Sequence, residues 1–184
     1  MKQHSICWVV LLSSLLFTPT SSYATNFDLR EYSLKAVFLE RFTRFIDWPE
    51  EKTSVDALKP FVIGVIGNPQ FTDLLNNIYQ DQKIQGKKVI VQNLSHIEEA
   101  KNAHLLFISG NTDGSLEDIL KYAKNLPVLT VSDSDGFAER GVMINFFMSK
   151  KQKIRFEINE QAIKNSELRI SYKLLSVAKL VEVK

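Results

Sequence analysis

The sequence has a single cysteine, Cys7, and that residue stands inside an apolar leader. A chain without Cys7 has no thiol for a disulfide, a thiolate metal site or cysteine nucleophilic chemistry. Histidine is nearly as scarce. His96 and His104 are the only two beyond the leader, and neither belongs to a metal-binding or G-x-S-x-G pattern. Seven glycines and five prolines are too few for a low-complexity or collagen-like chain. Charge is almost balanced at +2, which argues against nucleic acid as a partner. Beyond the leader no apolar run approaches the roughly 20 residues of a membrane-spanning helix.

What is present begins with that leader. Lys2 is followed by about twelve largely apolar residues, Ile6 to Phe17, and by the small-x-small sequence Ser22-Tyr23-Ala24. This arrangement predicts a secretory signal peptide over 1–24, removed after Ala24. A single domain over 25–184 is the expectation, since about 160 residues suffice for one hydrophobic core and not comfortably for two.

LREYSLKAVFLERFTRFIDWP reads as an amphipathic helix ended by Pro49. Phe38, Phe42 and Phe45 recur at helical spacing near Trp48, and Glu31, Lys35 and Arg44 form the expected polar face. Such an aromatic face serves either core packing or a partner. From Phe61 onward, FVIGVIG, KKVIVQNL, HLLFIS and PVLTVSD alternate with PQFTDLLNNIYQ, SHIEEAKN and SLEDILKYAKN. Strands alternating with helices imply right-handed crossovers and a mostly parallel sheet. Ser95 with Glu98 suggests a capping box for the second helical stretch.

VMINFFM and KIRFEIN predict a C-terminal antiparallel hairpin around SKKQ, with Arg155, Glu157 and Asn159 on its polar side. A short helix over about 160–165, a brief LRIS strand or turn, and YKLLSVAKLV as a closing helix complete the chain. The fold class is therefore α/β: one domain with a mixed, mostly parallel sheet flanked by helices, a Rossmann-like three-layer arrangement.

The loop VSDSDGFAERGVMINF invites an ion-binding interpretation. Aligning Asp133, Asp135 and Gly136 with an EF-hand puts Val131 and Val142 where oxygen ligands are required, so the EF-hand reading fails. Neither GVIGNPQF nor ISGNTDGS has dinucleotide-loop spacing. The strand-end loop at 109–115 is a small-ligand candidate. No catalytic residue, cofactor or metal is assigned. Asp133 and Asp135 are expected to satisfy turn amides, Gly136 and Gly141 to adopt angles closed to other residues, and Asn145 to need a hydrogen-bond partner on a buried strand. Phe137 is expected to anchor the loop, leaving Arg140 exposed for a partner.

In order, EYSLKAVFLERFTRFIDWP, PFVIGVIGNPQF, HLLFIS, the opening loop with MINF, KIRFEIN and LRISYKLLSVAKLV resemble the YfiR/HmsC-like family. The resemblance implies a periplasmic, non-enzymatic repressor. Its implied partner is the periplasmic sensor region of an inner-membrane GGDEF diguanylate cyclase, whose cyclic di-GMP output controls biofilm. It also implies an OmpA-like outer-membrane lipoprotein as a second partner, and a homodimer. The partner-binding residues under this reading are Phe38, Phe42, Phe45, Trp48, Phe137 and Arg140. Some members carry a cysteine pair whose positions correspond to Ala103 and Gly64, so redox gating through that bridge is not expected. The alternative function is a small-ligand sensor that presents its bound state to a membrane receptor.

Overall fold

A computed structural model describes residues 28–49, 59–112 and 115–182. The expected leader lies outside them. Helix α1 spans Leu29–Thr43, and Asp28 caps it by accepting the amides of Arg30 (2.8 Å) and Glu31 (3.2 Å). It ends well before Pro49, because the chain turns at Arg44 into a two-residue strand, β1 (Ile46–Asp47).

The remaining strands are β2 (Phe61–Ile66), β3 (Lys83–Ile84), β4 (Lys87–Leu94), β5 (Leu105–Ile108), β6 (Leu129–Ser132), β7 (Ile144–Met148), β8 (Ile154–Asn159), β9 (Arg169–Ile170) and β10 (Lys179–Val181). Eight of them form one sheet in the order β10-β8-β7-β6-β5-β2-β4-β3, and β1 pairs with β9 apart from it. The pairs β4/β2, β2/β5, β5/β6 and β6/β7 are parallel, and β7/β8 is the antiparallel hairpin. The sheet is thus mixed and mostly parallel, with helices on both faces. Helix α2 (Pro69–Tyr79) starts with Pro69 at its first turn and Asn68 capping the Phe71 amide at 2.9 Å.

Alternate residues of β2 feed two cores. Phe61, Ile63 and Val65 meet α1 and α2 on one face, while Val62 and Ile66 meet the opposite layer. That layer holds a 3₁₀ segment (Ile97–Asn102) and α3 (Leu116–Ala123). Two short helices, α4 (Glu160–Lys164) and α5 (Tyr172–Leu175), follow the hairpin.

Several expectations need correction. SHIEEAKN forms a 3₁₀ segment whose reciprocal cap uses His96 and Glu99, with the His96 amide donating to Glu99 Oε1 at 3.1 Å, not Ser95 and Glu98. The closing helix stops at Leu175, and Lys179–Val181 instead joins the sheet parallel to β8. Glu157 and Asn159 are buried, because the row of side chains beside them faces the 133–141 loop and β10. The register Ile63↔Leu105 sets Ala103 across from Phe61, three residues from Gly64. A separation of roughly 10 Å along the strand is too long for a disulfide at those two positions.

Candidate functional site

Helix α1 turns its aromatic residues inward. Phe42 is only 1% exposed, stacks on Phe146 at 5.5 Å and meets Phe156 edge-on at 4.9 Å. Phe38 is half-buried in the same group, 5.9 Å from the Phe146 ring. Trp48 is buried edge-on against Phe61 at 5.7 Å, and its indole N–H donates to the His104 carbonyl at 3.1 Å. Phe45 packs on the edge of this core, and its carbonyl accepts the Ser171 amide at 2.8 Å. A partner cannot reach Phe42 or Trp48 without opening the core. The side of α1 that solvent reaches carries Leu34 (45% exposed) and Val37 (43%).

Lys35, assigned by spacing to the polar face, is 4% exposed. Its ammonium group meets Asp133 Oδ2 at 2.6 Å and Glu31 Oε1 at 2.5 Å, and lies 4.2 Å from the centroid of the Tyr32 ring. The Tyr32 hydroxyl hydrogen-bonds Asp133 and is approached by Asn68. Burial, then the Asp133 charge and hydrogen bond, hold that phenol well above its ordinary range. Asp133 therefore serves α1 through its carboxylate, and the turn amide at Ser134 is met by Ser132 Oγ at 3.2 Å.

These residues roof a crevice of about 590 Å³. Its walls are the loops that leave β2 (Gly67–Gln70), β5 (Ser109–Asn111) and β6 (Asp133, Ser134), all at strand carboxyl ends. The crossover from β2 runs outward to β4 over the face that holds α2, whereas the crossover from β5 runs the other way to β6 over the face that holds α3. The crevice thus lies at the point where the strand order reverses, the usual ligand position in open α/β sheets. Two glycines let the loops meet. A Cβ on Gly67 (φ +82°) would lie 2.9 Å from the Thr112 amide nitrogen, and one on Gly110 would lie 2.6 Å from Ser134 Oγ.

The 133–141 loop presents a second surface. Gly136 (φ +76°) and Gly141 (φ +114°) both occupy the left-handed region that disfavours side chains. Phe137 is half-buried with the Arg140 guanidinium 5.1 Å from its ring centroid. Arg140 is exposed and forks onto Glu117 Oε1 at 2.6 and 3.2 Å. That hydrogen bond is the main reason the Glu117 carboxyl is lowered from 4.5 to about 2. Asp135 is exposed. Asn145 is fully buried and donates to Glu157 Oε1 at 3.2 Å, while its Oδ1 has no partner among the described residues. Sequence reasoning missed Asn159, which donates to the Ala138 carbonyl at 2.7 Å and accepts the Ala162 amide at 2.8 Å, tying the loop to α4. The signal was available as an asparagine placed immediately before a helical stretch.

His104 is buried, with Nδ1 accepting the Val62 amide at 3.1 Å and its ring stacked on Phe61 at 4.7 Å. Among the described residues there is no cluster of three or more acidic, histidine or cysteine side chains able to hold a metal ion. None of the described helices is long and apolar enough to cross a membrane.

A mixed, doubly wound α/β domain with a strand-end crevice defines the class of protein. The particular family follows from comparison: residues 32–179 match the YfiR/HmsC-like family model, and the chain belongs to that family. No curated protein matches it. Among solved structures it is similar to a conserved domain protein from Vibrio cholerae O1 biovar El Tor strain N16961, with a TM-score of 0.57 and 11% identity. That match covers 81% of this chain and 59% of the other, and at such identity it concerns the fold alone.

Proposed function

We propose that this protein is a periplasmic, non-enzymatic repressor. It binds the periplasmic sensor region of an inner-membrane diguanylate cyclase and lowers cyclic di-GMP signalling, and with it biofilm formation. The observation that carries this reading is membership of the YfiR/HmsC-like family over residues 32–179. An OmpA-like outer-membrane lipoprotein that sequesters the repressor, and a homodimeric state, belong to the same proposal.

The burial pattern bears on where such a partner docks. With the aromatic side of α1 in the core, the accessible groups include Leu29, Leu34 and Val37 on α1 and Arg140 on the loop. Arg140 borders a 450 Å³ groove floored by Leu120, Ala123, Met143 and Ala162, with Lys121 and Lys124 at its rim. Apolar floors with arginine at the edge are common in interfaces. Deleting the gene is expected to raise cyclic di-GMP, and the exported domain is expected to retain a GGDEF protein from solubilised membranes. Unchanged cyclic di-GMP with normal export sinks this reading.

A second reading, a small-ligand sensor whose bound form engages a membrane receptor, is favoured by the crevice at the switch point. It requires that ligand bind the two signalling states unequally.

A further inference from the structure

We propose that the switch-point crevice is a binding site for a small primary-ammonium compound, of the size of a basic amino acid or a short polyamine. The inference rests on the second reading for its biological use but on the crevice alone for its chemistry.

Three observations converge. The first is position: loops from three parallel strands meet at the sheet's reversal point around an open crevice of about 590 Å³, within the range of small-molecule sites. Two of the walls are held closely together, since a methyl group on Gly67 would meet the backbone of Asn111 and Thr112, while one on Gly110 would displace the Ser134 hydroxyl.

The second is the ion pair of Lys35 with Asp133, whose side chains are 5% and 8% exposed. Burying charge is costly, and an apolar pair of similar volume would fill the same space at least as stably. An ionic pair retained in a crevice wall, with Tyr32 and Asn68 bonded into it, is the pattern of a site built for polar recognition.

The third is sign. Asp28, Glu31 and Asp133 line the crevice against the single cation Lys35. Glu31 retains 31% exposure of its side chain, and Asp28 is exposed at the mouth. Three carboxylates against one ammonium leave the formal charge there negative, offset in part by the N-termini of α1 and α2, and a net negative site favours a cation. A bare metal ion fits poorly because the Lys35 ammonium already stands between the Glu31 and Asp133 carboxylates. An organic ammonium group would take the second carboxylate oxygens of Glu31 and Asp28, since Glu31 Oε1 meets Lys35 and Asp28 Oδ1 caps α1. Ser109, Asn111 and Ser134 on the facing loops can hydrogen-bond the remainder of such a molecule.

The test is calorimetric titration of the exported protein with putrescine, spermidine and L-lysine, using L-glutamate and matched sodium chloride as controls. Saturable binding of at least one amine is expected. Glu31→Gln is expected to weaken it by about tenfold, in line with the loss of one charge-assisted hydrogen bond. Asp28→Asn serves as the second variant, since asparagine caps a helix as well as aspartate does and the fold is retained. The proposal is overturned if no amine binds above the salt control, if L-glutamate binds as well as the amines, or if both variants bind like the parent. These readouts use the isolated protein, so a failed search for a cyclase partner leaves them unaffected.

Discussion

The Lys35 ammonium nitrogen stands 2.6 Å from Asp133 Oδ2, joining α1 to the loop after β6 across 98 positions of sequence. Both side chains are almost fully buried, so the pair holds the roof of the crevice against its wall. Lys35→Ala leaves Asp133 buried with only the Tyr32 hydroxyl as a partner from α1. A loss of about 3–5 kcal/mol is expected in urea denaturation, the cost of an uncompensated buried charge. The double replacement Lys35→Met with Asp133→Leu is expected to recover most of it. A Lys35→Ala loss below about 1 kcal/mol would show that water already reaches the pair.

That contact also marks where sequence reasoning ran out. The alternation of strands and helices from Phe61 to Ser132, the hairpin turning at Ser149–Gln152, and the parallel sheet were legible because periodicity reports on one face of one element. Periodicity assigned Lys35 to the polar face because its partner lies in a distant loop. Likewise, the alternation in β8 suggested that Glu157 and Asn159 face solvent, and it could not register that the 133–141 loop folds over that side. The three residues Lys179–Val181 are too few to separate strand from helix by pattern, so pairing with β8 decided their state. The crevice was partly visible as a loop at a strand end, but its other two walls and its roof come together only in three dimensions.

The inward aromatic side of α1 leads to a contrast between two of its faces. Phe42→Ala removes a fully buried ring from between Phe146 and Phe156 and is expected to cost about 3–5 kcal/mol. Val37→Glu, on the solvent side, is expected to change stability by less than about 0.5 kcal/mol. Thermal and chemical denaturation of the two variants decide this. If α1 bound its partner through the aromatic face, Phe42→Ala would weaken pull-down without altering stability.

Asn159 joins three elements with one side chain: it ends β8, caps α4 and holds the loop at Ala138. Alanine there removes the helix cap, worth about 1 kcal/mol, and one of two donors to the Ala138 carbonyl, which keeps the Gly141 amide at 3.1 Å, worth about 0.5–1.5 kcal/mol more. A total loss of about 1.5–2.5 kcal/mol is expected. Amide exchange is expected to rise first between 134 and 142, because that segment loses its tie to the sheet.

Arg140 gives the clearest pH signature. Its hydrogen bond lowers the Glu117 carboxyl from 4.5 to about 2, so Glu117 binds a proton less readily folded than unfolded. The sign follows: the interaction is fully present above pH 4.5 and is lost as pH falls towards 2. Carboxyl NMR titration is expected to place the Glu117 midpoint near 2 and to move it back towards 4.5 in Arg140→Gln. Both groups are exposed, so neutral-pH stability is expected to be nearly unchanged in that variant. Arg140→Glu therefore separates recognition from folding: a partner that docks beside the 133–141 loop is lost at neutral pH while the thermal midpoint holds. Retained pull-down by Arg140→Glu would move the docking surface away from this loop, to other exposed apolar groups such as Leu34 and Val37 on α1 or Tyr172 and Val177 in and just after α5.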